Sequence, residues 1–160
     1  MTRTTIRAAE RGDAAGVNEL YARLDDLHTE NLPWLLRRPR ATPRNQESFD
    51  AVLADDRATI LVAFRDRPIG FLHARLSPAP DLPLFTPQVR CVVDAVFVDP
   101  ESRREGIAME LLRATEAWAK ERGANGMDLN VYDFNLTARE LFTAAGYRPL
   151  STRMSKPLGE

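Results

Sequence analysis

The order of elements in this sequence predicts an α/β layered domain built on a mixed sheet. Three observations carry that expectation. Apolar runs rich in β-branched and aromatic residues recur at 59–64, 69–76, 88–98 and 126–132. Apolar residues return at helical spacing over 17–27, 107–118 and 138–145. Strand and helix patterns then alternate through the C-terminal half, divided by Gly, Pro and Asp signals.

Taken in order, residues 4–8 read as a short strand. Gly12 and Asp13 follow, then Val17, Leu20, Tyr21, Leu24 and Leu27 on one helical stripe, with His28 beside them and Asp13 placed to cap. Residues 31–46 hold Pro33, Pro39 and Pro43 with Arg37, Arg38, Arg40 and Arg44, and read as a loop. Residues 48–53 carry a weak helix signal. The runs 59–64 and 69–76, joined by Arg65, Asp66, Arg67 and Pro68, form a hairpin of antiparallel strands. Pro78, Pro80, Pro83 and Pro87 make 77–87 a loop, because proline donates no ladder hydrogen bond. The strand 88–98 stops at Asp99 and Pro100. A helix begins near Arg104, with Ile107, Leu111, Ala114 and Trp118 inside and Gly123 beyond its end. Residues 126–132 return as a strand. Asn135 caps a last helix with Ala138, Leu141, Phe142 and Ala145 inside and Gly146 as terminator, and 147–154 is a final edge strand.

The chain has 160 residues, the length of one domain, so a single unit over 1–160 is expected. A net charge of -1 removes the bulk attraction that non-specific nucleic-acid or membrane binding requires. Cys91 is the only cysteine, which excludes an internal disulfide and a thiolate-bound zinc or iron–sulfur cluster, and no metal is expected. The N-terminus lacks the apolar core of a signal peptide and no apolar run is long enough to span a bilayer, so a cytoplasmic location is expected.

The chemistry points to the join of strand, tight turn and helix over 98–108. The first N–H groups of a helix lack intrahelical partners and carry partial positive charge, so they can hold phosphate oxygens. Gly106 and Ala108 keep the backbone approachable there, and Arg103 and Arg104 add charge-assisted donors suited to a pyrophosphate. A charged helix start is by itself more often a solvated surface. The neighbouring residues add to it: Arg103-x-x-Gly106-x-Ala108, directly after a strand ending in Val96, Phe97 and Val98 and a turn of Asp99, Pro100 and Glu101, resembles the Gln/Arg-x-x-Gly-x-Gly/Ala signature of the GNAT superfamily of acetyl-CoA-dependent N-acetyltransferases. The resemblance extends to Asn135, Ala138, Leu141, Phe142, Gly146 and Tyr147, similar to the second motif block of that family. The Gly-Lys-Ser/Thr ending of a phosphate-loop NTPase and the Gly-x-Gly-x-x-Gly of a dinucleotide fold are both missing.

The resemblance implies a mixed, mostly antiparallel central sheet with helices on both faces. It also implies a splayed parallel strand pair, 91–98 and 127–132, as the slot for acetyl-CoA. Backbone groups of Val96, Phe97 and Val98 would pair with the pantetheine arm. Arg103, Arg104, Glu105, Gly106, Ile107 and Ala108 would bind the pyrophosphate, Asn135 would lie near the pantetheine or thioester, and Phe142 near the sulfur. A homodimer is expected from family habit.

Amine acylation needs an amine with a free lone pair, so a proton must be removed. Asp94 sits in an otherwise apolar run, where partial desolvation raises a carboxylate toward useful base strength, and it is the first choice for the base. An acid stands at the matching position in several family members that acetylate polyamines and aminosugars. Equally open is a carboxylate that only hydrogen-bonds a neighbouring strand or loop. Many members have a tyrosine where Phe142 stands, to protonate the departing thiolate; here the thiolate leaves unassisted or Tyr132, Tyr147 or water serves. His28 and His73 are each more often satisfied core or surface residues than bases, with His28 the minor candidate. Cys91 reads as a buried strand thiol, and Trp34 and Phe49 as core aromatics or pocket walls. The arginines 37–44 read as a solvated loop or as an attraction for an acidic acceptor. Two functions stand: acetyl transfer to the primary amine of a small molecule, and a catalytically idle acyl-CoA-binding module.

Overall fold

The computed structural model describes residues 2–39 and 44–159. The contacts within the chain gather into two units, Met1–Asn130 and Val131–Glu160.

The first unit carries the sheet. Its strands are β1 (Thr5–Ala8), β2 (Ala58–Arg65), β3 (Arg67–Pro78), β4 (Val89–Val98) and β5 (Gly126–Leu129). Its helices are α1 (Ala14–Asn31), α2 (Gln46–Ala54) and α3 (Ile107–Glu121), with 3₁₀ turns at Arg11–Asp13 and Pro100–Ser102. The strands lie in the order β1-β2-β3-β4-β5. All neighbours are antiparallel except β4 and β5, which run parallel with α3 as the connecting crossover. This is the mixed, mostly antiparallel sheet that the sequence predicts.

Register assigns the two faces. Phe71 pairs with Phe97 and His73 with Ala95, while Leu72 pairs with Val96 and Ala74 with Val93. One face therefore carries Ile60, Val62, Phe71, Ala95 and Phe97, and these pack with Val17, Leu20 and Leu24 of α1 and Phe49 of α2. Full burial of side chains such as Phe71 and Leu20 contributes about 1.5–3 kcal/mol each. The other face carries Leu61, Leu72, Ala74, Cys91 and Val93, and α3 covers it with Ile107, Leu111, Leu112 and Ala119.

Several boundaries depart from expectation. Asp13 stands at the N-cap position of α1 but makes no cap bond there; its carboxylate instead accepts from Arg7 and from the Glu10 N–H, each at 2.7 Å. The helix expected near Arg104 starts only at Ile107, because Arg104 (φ 67°) and Gly106 (φ 77°) lie in the left-handed region and cannot extend a right-handed turn. β5 ends at Leu129, short of the expected 132.

In the second unit, α4 spans Leu136–Ala144 and Asn135 caps it, its Oδ1 accepting from the Ala138 N–H at 3.1 Å. Gly146, at φ 96°, ends it as expected. The final strand expected over 147–154 is not formed. Pro149 lacks a ladder donor, and Leu150 and Met154 are 91% and 88% exposed, so a strand there would have no covered apolar face.

Candidate active site

Three features of the first unit converge on β4. The first is an open edge. Pairing between β4 and β5 runs from Arg90 with Gly126 to Val93 with Leu129, whereas pairing between β4 and β3 continues to Val98. Among the described residues, 94–98 of β4 thus have no strand partner on the β5 side, because β5 ends at Leu129. An extended chain bearing amide groups could add along such an edge. Val96, Phe97 and Val98 lie on it.

The second is the turn that follows. Asp99 is 2% exposed and receives Arg67 at 2.8 Å and Arg23 at 3.3 Å. The hydrogen bond from Arg67 leads in holding its carboxyl below the usual range, against the opposing effect of burial. Asp99 also accepts from the Glu101 N–H at 3.4 Å, so one carboxylate fixes the exit of β4 and opens the 3₁₀ turn. Arg103 donates from Nε to the Val98 carbonyl at 3.1 Å and lies 5.3 Å from the Phe97 ring centre, so part of its donor set ties the turn to β4. Glu105 pairs with Arg65 at 2.7 Å. Arg103, Arg104, Glu105 and Gly106 are all exposed, Ile107 places its side chain in the core, and Ala108 is half-buried. Gly106 caps α3 without a side-chain acceptor, and a Cβ built there meets nothing within 4 Å. Its φ therefore favours glycine, and the space beside it is open. The combination of helix N-terminus, left-handed turn and two arginines fits an anion such as a pyrophosphate.

The third is a polar cluster on the face that α1 covers. The register between β3 and β4 shifts between His73 and Ala74, because His73 pairs with Ala95 and Ala74 with Val93. Asp94 is the extra residue of this bulge, exposed although it stands in an apolar run. The desolvated position expected from sequence is not what the bulge provides: the carboxylate meets Arg75 of β3 at 3.1 Å. Beside it, the Tyr21 hydroxyl and His73 Nδ1 are 3.1 Å apart. Arg44 lies 3.7 Å above the Tyr21 ring and makes a bidentate pair with Asp25. Burial pushes the Tyr21 hydroxyl up to about 12. Burial also lowers His73, while the Asp94 carboxylate raises it and Arg44 and Arg75 lower it further.

Tyr21, Arg75 and Asp25 were not singled out by the motif reading. Tyr21 and His73 are 52 residues apart, and only the pairing of α1 with β3 joins them. The other candidates resolve as follows. His28 is lowered by burial, with Asp25 opposing. Cys91 is fully buried and its thiol is pushed up to about 11, as a strand thiol should be. Phe49 is core, whereas Trp34 is 68% exposed. Arg38 pairs with Asp26 and Arg44 with Asp25, so acids of α1 balance these members of the arginine loop; Arg40 and Pro43 lie outside the described residues. Asn135 and Phe142 belong to the second unit, Asn135 as the α4 cap and Phe142 with its ring 5.8 Å from that of Tyr147. Among the described residues, no group of three or more His, Cys, Asp or Glu could hold a metal ion, and no helix is long and apolar enough to cross a membrane.

The fold is similar to that of several solved proteins. A mutant of the BH1408 protein from Bacillus halodurans superposes with a TM-score of 0.89 at 24% identity, covering 96% of this chain and 99% of that one. The aminoglycoside N-acetyltransferase AAC(6′)-Iy in complex with CoA gives 0.77 at 17% identity, with 99% and 96% covered. An aminoglycoside acetyltransferase from an uncultured soil metagenomic sample gives 0.73 at 13% identity, with 98% and 97% covered. No match to a curated protein sequence reaches significance. Residues 21–147 match the model of the acetyltransferase (GNAT) family, and this places the chain in that family: it is a GNAT acetyltransferase family member.

Proposed function

We propose that this chain transfers an acetyl group from acetyl-CoA to the primary amine of a small molecule, and that residues 1–160 act together as one catalytic domain. The observation that carries the reading is the continuity of β4. The open edge 94–98 runs directly into the anion-binding turn at 103–106, so one strand offers backbone to an amide-bearing arm and its exit offers positive charge to a pyrophosphate. The AAC(6′)-Iy neighbour, solved with CoA, supports the same cofactor here.

Acetyl-CoA would supply a thioester carbonyl open to attack by an amine. For the chain's part, the edge groups of Val96, Phe97 and Val98 hold the arm, and Arg103, Arg104 and the N–H groups through Gly106, Ile107 and Ala108 hold the pyrophosphate. Glu105, paired with Arg65, steadies the turn. Asp94 takes the proton from the acceptor ammonium, a role supported by its position on β4 and its exposure. Asn135 and Phe142 complete the cofactor set by the family resemblance. Aminoglycosides are the first acceptors to try, since two neighbours are named for them, followed by polyamines and amino acids.

The test is release of CoA thiol from acetyl-CoA across such an amine panel, beside calorimetric titration of CoA. Amine-dependent release upholds the enzyme. CoA binding with no release from any acceptor favours the idle binding module, which Phe142 supports by standing where many members have tyrosine. Absence of CoA binding overturns both.

A further inference from the structure

The turn proposed for the pyrophosphate carries a conflict in its own charges. Residues 99–106 hold Asp99, Glu101 and Glu105 against Arg103 and Arg104, so their side chains by themselves oppose an anion. Two of these acids are answered from the β2–β3 hairpin. Asp66 forms the tip of that hairpin in the left-handed region, at φ 62°, with Arg65 ending β2 and Arg67 opening β3. Arg67 reaches Asp99 at the head of the turn at 2.8 Å, and Arg65 reaches Glu105 near its foot at 2.7 Å.

The two ends are held differently. At the head, Asp99 is buried, its N–H donates to the Ile69 carbonyl at 2.7 Å, and Arg23 adds a second cation. At the foot, Glu105 stands between Arg104 and Gly106, both with left-handed φ, and directly before the N-terminus of α3. Its side chain is 46% exposed, so Arg65 is what directs it. Arg65 is itself oriented from the other side, where its Nε donates to the Thr4 hydroxyl at 3.0 Å. The guanidinium thus spans from the start of β1 to the foot of the turn.

We propose that Arg65 is a positioning residue for the cofactor: it holds and neutralises the Glu105 carboxylate, which would otherwise oppose the pyrophosphate at the first turn of α3. This rests on the acetyl-CoA reading above. A carboxylate without a partner beside a helix N-terminus is drawn to the N–H groups that a phosphate would use, and it repels the phosphate as well. Paired with Arg65, Glu105 does neither, and Arg103, Arg104 and the N–H groups of the turn set the sign of the site. Arg65 acts through Glu105, from a hairpin 40 residues away in sequence, which is why no motif points to it.

The test is calorimetric titration of CoA into the intact protein and its variants, each checked for folding by its melting curve. R65A should weaken CoA binding roughly tenfold at low ionic strength, with the deficit shrinking as salt screens the freed carboxylate. R65K, which keeps the charge, should lose no more than about threefold. E105Q should bind CoA more tightly than the parent. The double variant R65A/E105Q should return to within about threefold of the parent, because the acid is gone together with its partner. R65Q gives the same comparison, alone and with E105Q, should R65A not fold. A folded double variant as weak as the single Arg65 variant shows that Arg65 binds the cofactor itself or serves only the fold. That result, or an R65A that binds CoA like the parent, overturns the inference and leaves the cofactor reading intact. A parent that binds no CoA overturns both.

Discussion

Replacing Gly106 tests the proposed pyrophosphate site at the turn with the clearest separation of effects. Its φ of 77° lies in the left-handed region, and a Cβ there meets no atom within 4 Å. G106A therefore adds no clash within the protein and carries only the backbone cost, about 1–2 kcal/mol. At this chain length that lowers Tm by roughly 2–8 °C. G106E carries the same backbone cost and adds a carboxylate beside the first turn of α3. One negative charge about 4 Å from a phosphate oxygen costs about 1 kcal/mol at the dielectric of water and about 4 kcal/mol at an effective value of 20. Each 1.4 kcal/mol is about tenfold, so CoA affinity should fall from severalfold to near a thousandfold beyond G106A. Differential scanning fluorimetry gives the common backbone cost, and calorimetric titration of CoA gives the difference. Equal Tm losses with CoA affinity surviving in G106E would refute the placement of a pyrophosphate at this turn.

Asp99, buried and paired with Arg67 and Arg23, has its carboxyl held low, so its stabilisation is present above the ordinary carboxylate range and is lost as pH falls through the folded value. D99N should lower Tm at pH 7 by an amount corresponding to roughly 1–3 kcal/mol, and the gap to the parent should narrow on acid titration followed by melting curves; a gap constant with pH would contradict the pairing. F142Y should raise kcat below the thiol range of about 8.5 if thiolate departure limits turnover, measured by thiol release from pH 6 to 9; an unchanged profile would put the limiting step elsewhere. Cys91, fully buried, should react with an aromatic disulfide reagent only on unfolding, one equivalent per chain in guanidinium and almost none in buffer; rapid labelling of the folded chain would mean that β4 is not covered.

The strands and helices were readable because hairpin turns, prolines and terminal glycines sit in the sequence next to what they end. Gly123 and Gly146, at φ 81° and 96°, stop α3 and α4 where the sequence predicts. Arg104 was misread as helical because arginine is a good helix former and nothing local announces its left-handed φ. The bulge was hidden for a different reason. Cys91, Val93, Ala95 and Phe97 are all buried and alternate without interruption, yet the register puts the first two on the α3 face and the last two on the face packed by α1 and α2. With helices on both faces, apolar periodicity gives no sign of the crossover. The Tyr21–His73 contact needed the tertiary docking of α1, which no motif encodes.

That hidden crossover makes the last prediction. Pairing with β5 ends at Val93 and the extra residue comes immediately after it, so the bulge coincides with the start of the open edge. Remove Asp94 and Val93 would precede Ala95 directly, opposite Ala74 and His73, in a regular ladder with every remaining side chain on the face it now occupies. Packing therefore does not require the bulge, whereas a chain that must present a carboxylate at the head of an open edge does. Deletion of Asp94 should give a folded protein with Tm within a few degrees of the parent, since no core side chain changes face. It should also lack amine-dependent thiol release beyond the loss seen in D94N, because both the carboxylate and the bend of the strand are gone. An unfolded deletion variant would show that the bulge serves packing, and one as active as D94N would show that only the carboxylate matters.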